Sequence, residues 1–323
     1  MAGQVAGFRG PASVTRFAGG QSNPTFRVST PGRDYVVRRQ PFGQLVKGAH
    51  AVDREARVML ALGTVGFPAP RVLALCEDPV VIGSLFYVME LVEGRVFWDG
   101  TFSQVPHDER RLCMEAMVST LAELHNVDPV AVGLGDFGRH GGYFARQVKR
   151  WSTQYREDPL AGTYADMDFL ADWLADNIPA ADATALVHGD FRCDNLIFHP
   201  EQPRVVAVLD WELSTLGDPL VDFAYHLMMY HVPDFVPWGL AGRDLAAFGL
   251  PGPEAYAARY CALTGRATLP DLRPYLVLNL FRFAAIVHGI KGRQLRGNAA
   301  SAEASTLVDR LADFARIGRS LAD

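Results

Sequence analysis

Asp190, Asn195 and Asp210 are the residues whose types and spacing point most directly to chemistry. The first two lie in the run His188-Gly189-Asp190-Phe191-Arg192-Cys193-Asp194-Asn195, and the third opens Asp210-Trp211-Glu212. The β-prone runs 196–198 and 205–209 flank a turn at 199–204. Paired as an antiparallel hairpin, they centre near residue 202 and bring Asn195 and Asp210 together at the open end. An amide oxygen beside a carboxylate is a hard-oxygen pair suited to magnesium, which takes a few protein oxygens and completes its shell with water and substrate phosphate. Asp190, five residues before Asn195, is placed to orient an attacking hydroxyl, as phosphoryl transfer requires. The spacing by itself also allows a buried polar turn without catalysis.

The pattern HGDxxxxN followed by DWE resembles the aminoglycoside phosphotransferase family, small-molecule kinases with the protein-kinase fold, over nearly the whole chain. Gln21-Ser22-Asn23-Pro24-Thr25 after Gly19-Gly20, and the runs 187–200, 210–222 and 289–300, are similar to the branch whose kinase-like domain is fused in some eukaryotes to an acyl-CoA dehydrogenase. The resemblance implies an α+β, bilobal protein-kinase-like fold, with a small antiparallel-sheet N-lobe carrying one helix and a larger, mainly helical C-lobe. It makes Asp190 the catalytic base and places Asn195 and Asp210 on magnesium, with ATP bound between the lobes. It also implies that Gly19, Gly20, Gln21 and Ser22 form a loop over the nucleotide phosphates, that backbone groups near Glu90 to Val92 bond the adenine edge, and that His188 and Asp222 support the catalytic loop.

Positioning these groups requires a particular order of elements. Residues 14–18, 25–29 and 35–39 read as strands, and Val52, Ala56, Met59 and Leu60 recur at helical spacing before Gly63 and Pro68 end the helix. Two further strands at 71–76 and 85–91 lead to Val92-Glu93-Gly94, expected as the hinge between lobes 1–92 and 93–323. Beyond it the periodicity predicts helices over 107–125, 141–155, 166–177, 218–229, 254–263, 274–296 and 302–321, interrupted by strands at 185–187, 196–198 and 205–209.

Glu55 lies three residues after Val52 and four before Met59, on the helix's apolar face, where a carboxylate needs a cationic partner. In the fold resembled, that partner is a strand-3 lysine that also holds ATP phosphates. Here the strand reads Val36-Val37-Arg38-Arg39. Arg38 keeps the charge and offers a fork of donors, although arginine for lysine at a bidentate site is not conservative. Arg192, beside Asp190, is expected either to neutralise developing phosphate charge or to form a structural salt bridge. Asp218 reads as a helix N-cap.

Composition narrows the partners. The net charge of −5 argues against a general nucleic-acid binder. Apolar runs such as 205–209 fall far short of the roughly 20 residues of a membrane span. The four cysteines form no CxxC pair, and the glycine-rich start lacks a basic stretch followed by an apolar one, so a reducing cytoplasm is the expected compartment. Residues 233–323 hold eleven basic against eight acidic side chains. Arg282, Gly289, Arg293 and Arg296 share one face of the helix over 274–296, which reads as a solvated basic face or as an anionic-acceptor site built on Arg293 and Arg296.

The expected function is Mg-ATP-dependent transfer of the γ-phosphate to a hydroxyl of a small molecule, by the resemblance an anionic one such as a hydroxyacyl-CoA. The alternatives are an aminoglycoside O-phosphotransferase and, because of Arg38, a nucleotide-binding pseudokinase that regulates a partner. A protein-kinase role fits poorly, since the few residues between Asp210 and Asp218 leave no room for an activation segment.

Overall fold

The computed structural model describes residues 5–17, 23–43, 50–180, 183–297 and 306–323. By contact the chain forms two compact units, Met1–Val96 with Asp128–Gly135 and Asp194–Ser214, and Phe97–Val127 with Asp136–Cys193 and Thr215–Asp323.

The first unit is built on an antiparallel sheet of β1 (Ser13–Arg16), β2 (Thr25–Ser29), β3 (Asp34–Arg39), β4 (Val72–Cys76) and β5 (Phe86–Glu90), ordered β1-β2-β3-β5-β4. Its two-residue period sorts side chains by face. Tyr35 and Val37 join Val28, Phe86 and Val88 in one core, while Val36 and Arg38 are register partners of Met89 and Tyr87. Helix α1 (Val52–Gly63) buries Val52, Glu55, Ala56, Met59 and Leu62 and packs on β4 and β5.

The hairpin of β7 (Leu196–Phe198) and β8 (Val205–Val208) also belongs to this unit. Arg95 and Phe198 exchange two backbone hydrogen bonds of 2.8 Å, and the Arg95 guanidinium donates to the carbonyls of His199 and Gln202. Stitched in this way, residues 93–96 stay with the sheet. The contact boundary therefore falls at Val96 rather than at residue 92, and the chain returns to the first unit twice. The hairpin register differs slightly from the expected one: Leu196 faces Val208, a bulge sits between Ile197 and Phe198, and Asn195 faces Leu209 through a 2.8 Å bond from the Leu209 N–H. Asp210 is one residue beyond.

The second unit contains α2 (His107–Asn126), α3 (Tyr143–Arg156), α4 (Ala165–Asp176), α5 (Pro219–Leu227), α6 (Pro253–Thr264), α7 (Arg273–Leu295) and α8 (Leu311–Ala322). Asp218 caps α5 by accepting from the Leu220 N–H. α3 begins two residues later than expected, because Gly141 and Gly142 take left-handed conformations before it. α7 is buried along most of its length and packs against α3, α4, α5 and α8. Strand β6 (Ala185–Val187) pairs with β9 (Thr215–Gly217), an element of one apolar residue and two small ones that periodicity cannot detect. Among the described residues no helix is long and apolar enough to cross a membrane.

Gly94 shows how tightly the hairpin is held. A Cβ there would stand 2.2 Å from the Phe198 carbonyl oxygen and 2.5 Å from Ile197 Cγ2. Gly94→Ala should lower the unfolding free energy by about 1–3 kcal/mol through overpacking, read as a lower urea midpoint with an unchanged slope.

Candidate active site

In the second unit β6 delivers His188 and Gly189 to a buried carboxylate. The Asp222 oxygens accept from the His188 N–H at 2.7 Å and the Gly189 N–H at 2.9 Å, and His125 Nε2 lies 3.3 Å from the same group. Burial alone would raise the Asp222 pKa, but His125, His188 and the backbone donor outweigh it and hold the carboxyl below its ordinary value. The loop is gripped from a second direction by Arg282, whose Nη2 donates to the Gly189 carbonyl at 2.6 Å. Gly189 itself has φ +85°, a left-handed turn that suits glycine.

Past that turn stands Asp190. Its backbone N–H donates to His188 Nδ1 at 3.2 Å, so His188 acts on the loop as a support. Its Oδ1 accepts from the Tyr225 hydroxyl and lies 3.3 Å from Arg192 Nε. Burial works against the Asp190 charge; Arg192 and the Tyr225 hydroxyl overcome it and keep the carboxyl below the usual aspartate value. Burial and the Asp190 charge push the Tyr225 pKa far up, so the phenol remains a donor. His226 Nδ1 lies 3.2 Å from the Phe191 carbonyl and Nε2 lies 2.6 Å from the Tyr256 hydroxyl; burial lowers the His226 pKa to about 4.

Tyr225 and His226 are absent from the sequence reading. Their signal was the phase of α5, since Asp222, Tyr225 and His226 stand at i, i+3 and i+4 and must face one neighbour. Arg282 requires the opposite correction. It was counted with a basic face, but it is buried, bonded to Gly189 and set over the Tyr225 and Trp151 rings.

In the first unit, Arg38 and Glu55 meet on the sheet face that α1 covers. Arg38 Nε lies 2.8 Å from Glu55 Oε2, and Glu55 is only 1% exposed; Asn23 Nδ2 at 2.7 Å and the Tyr87 hydroxyl at 3.0 Å also donate to it. Arg38 Nη2 donates to Asp210 Oδ1 at 2.8 Å and lies 3.7 Å from Glu212. Burial opposes the Arg38 charge, but these carboxylates raise its pKa and the guanidinium stays charged. Asp210 has φ +64°, an uncommon backbone for a residue with a Cβ and one that concentrates at functional sites.

A cleft of about 180 Å³ adjoins this cluster, with Thr25, Arg38, Asn195 and Asp210 among its polar walls and Met59, Tyr87, Met89, Leu209 and Trp211 among its apolar ones. The donor set fits the groups implied by the resemblance. Apolar walls suit a flat ring, Arg38 suits phosphate, and the amide of Asn195 with the carboxylate of Asp210 suits a hard cation. Among the described residues there is no cluster of three or more His, Cys, Asp or Glu that could hold a metal.

Gly19, Gly20, Gln21 and Ser22 lie outside the described residues. The Glu90 N–H donates to the Arg71 carbonyl and its carboxylate accepts from the Arg71 N–H, so those groups are already engaged; neither Glu90 nor Val92 lines the cleft. Arg293 is exposed, and Arg296 forms a two-armed ion pair with Asp158.

Comparison with known proteins decides the family. The model of the phosphotransferase enzyme family matches residues 13–275. The chain belongs to that family. This phosphotransferase is 42% identical over 311 residues to acyl-CoA dehydrogenase family member 10 of Mus musculus, covering 95% of this chain and 29% of that one. It is 43% identical over 320 residues to acyl-CoA dehydrogenase family member 11 of Gallus gallus, covering 97% and 40%. It thus spans less than half the length of these relatives. A crystal structure from Ralstonia eutropha, assigned to the aminoglycoside phosphotransferases, superposes with a TM-score of 0.90 at 46% identity, over 100% of this chain and 95% of that one. The kinase-like α+β fold agrees with that family.

Two outcomes follow for this phosphotransferase. Arg38→Ala leaves Glu55 buried without its cation and should cost about 3–5 kcal/mol in urea unfolding, with Arg38→Lys restoring part of it. For Asp222, the folded pKa lies below the unfolded value of about 3.9. Its stabilisation is therefore complete above that value and is lost as pH falls through the folded pKa. Asp222→Asn should be less stable than wild type at pH 7 and show a flatter loss of stability below about pH 4, measured by denaturant titration at stepped pH.

Proposed function

We propose that the chain transfers the γ-phosphate of ATP to a hydroxyl of a small molecule, the first unit holding the nucleotide and the second supplying Asp190. The observation that carries this reading is the setting of Asp190: a carboxylate kept ionised by Tyr225 and Arg192, on a loop pinned by Asp222 and Arg282. Such a group accepts a hydrogen bond from an acceptor hydroxyl and fixes its direction. Its low basicity suits a loose phosphoryl-transfer transition state, which demands position more than early deprotonation. The acceptor oxygen bonds to the transferred phosphorus as the ADP oxygen leaves with the bonding pair, and the hydroxyl proton passes to Asp190 and on to water. Tyr225 stays protonated and keeps Asp190 oriented, and Arg192 offsets negative charge beside it. Asn195 and Asp210 would hold magnesium, which when bound neutralises and orders the phosphates. Arg38 would bind phosphate oxygens while keeping its bond to Glu55.

The acceptor is taken to be an anionic hydroxylated molecule such as a hydroxyacyl-CoA. This is supported by the relatives in which the match forms one part of longer chains named acyl-CoA dehydrogenases, and by the exposed Arg293 near the end of α7.

Asp190→Asn should bind ATP as wild type does by calorimetry yet transfer phosphate at least about a hundredfold more slowly. In wild type the acid limb of kcat/KM should lie below the ordinary aspartate value of about 3.9, because Tyr225 and Arg192 hold Asp190 ionised. Near-normal turnover in the variant, across a panel of hydroxyacyl-CoA thioesters and kanamycin, would remove Asp190 from the reaction.

A further inference from the structure

Four of the chain's eight methionines enclose one hollow in the second unit: Met114 and Met117 from α2, and Met228 and Met229 just past α5. Phe102 and the half-buried Trp238 complete its apolar wall. The free space is about 20 Å³, room for little more than one water-sized group. Phe102 is fully buried and non-glycine yet has φ +51°, a conformation held against its own preference.

What this hollow adjoins makes it more than a packing gap. Arg192 and Tyr225 also line it, and both contact Asp190 Oδ1. His226, another wall residue, stays neutral above its lowered pKa, so the described wall carries its positive charge at Arg192. A group whose hydroxyl reaches Asp190 thus finds thioethers and aromatic edges beside it. Such walls cannot replace the water around a polycationic or polyhydroxylated body, but they accept methylenes, and methionine side chains re-pack at low cost.

Building on the phosphotransfer reading above, we infer that this hollow is the subsite for the aliphatic segment attached to the acceptor's carbinol carbon, and that Met117 and Met229 set how long that segment can be. The hydroxyl is then presented to Asp190 by the seating of its own carbon chain. Because the space is small, the native preference is for a short segment.

The methionine methyls report on this without turnover. The whole chain labelled with methyl-13C methionine, its signals assigned by single Met→Leu replacements, is titrated with hydroxyacyl-CoA thioesters from four to about eight carbons with the hydroxyl at successive positions. The short members should shift Met114, Met117, Met228 and Met229, whereas ATP should shift Met59 and Met89, which line the first unit's cleft. In transfer assays Met117→Ala and Met229→Ala should each raise kcat/KM for a longer member relative to the shortest by roughly tenfold or more, the worth of a methylene in an apolar pocket, with KM for ATP unchanged. Met229→Leu should keep the native order, and Met117→Phe, which fills the hollow without emptying the core, should raise the acceptor KM roughly tenfold. Acceptor-induced shifts confined to other methionines, or an order of chain lengths unmoved by all four variants, would overturn the subsite while leaving phosphotransfer intact. Shifts at the four methyls without phosphate transfer to any acceptor would sustain the subsite and overturn the reaction proposed above. Kanamycin phosphorylated as well as the thioesters would overturn the subsite.

Discussion

The Asp222 carboxylate is buried, charged and bound to two successive backbone N–H groups, and the geometry of the catalytic loop depends on that fact. A buried carboxylate without donors is strongly disfavoured, so the chain around it must present donors, and His188, Gly189 and His125 do so. Two adjacent N–H groups can converge on one acceptor only if the backbone turns sharply after β6. The left-handed Gly189 supplies the turn, and Arg282 holds its carbonyl from the other side. The direction of Asp190 is the consequence, because the residue after a backbone fixed at N–H and C=O alike has little freedom left.

The first unit solves a related problem with the opposite charge at its centre. Arg38 is the half-buried ion there, and it is shared among Glu55, Asp210 and Glu212. β3 and β5 make this possible: antiparallel pairing sets Arg38 opposite Tyr87, and the pair closes over Glu55 from α1. Arginine has donors for more than one acceptor where a lysine would offer a single ammonium point. The substitution that kept a pseudokinase reading open therefore has a structural reason: the fork spans Glu55 and Asp210 together.

Much of this was legible in the sequence, and what was not has identifiable physical causes. The Glu55 phase on α1 pointed to a buried carboxylate, and the HGDxxxxN run located the loop, because both signals are local. The meeting of Asn195 with Asp210 was misplaced by one residue, since the turn is centred between His199 and Arg204, earlier than that meeting needs, and the bulge at Ile197 and Phe198, which no residue type announces, recovers only part of the shift. Arg282 was grouped with a basic face, solvated or acceptor-binding, because a charge count does not register burial, and α7 passes through the interior for most of its length. Tyr225 and His226 were overlooked, although α5's helical phase placed them on the face of Asp222.

Carboxylates of one chemistry hold different roles here because their surroundings differ. Burial dominates at Glu55 and lifts its pKa, against the pull of Arg38, Tyr87 and Asn23; such a group belongs to the scaffold. At Asp190 burial is overcome by Arg192 and Tyr225, which themselves line the methionine-walled hollow, and the carboxylate stays ionised. An ionised acceptor beside an apolar recess is a selective arrangement, since it rewards a molecule that brings a hydroxyl and a hydrocarbon segment together and gives little to one that brings only polar groups. Selectivity for the acceptor then arises from the same two side chains that keep Asp190 charged, because Tyr225 and Arg192 each face both the carboxylate and the hollow.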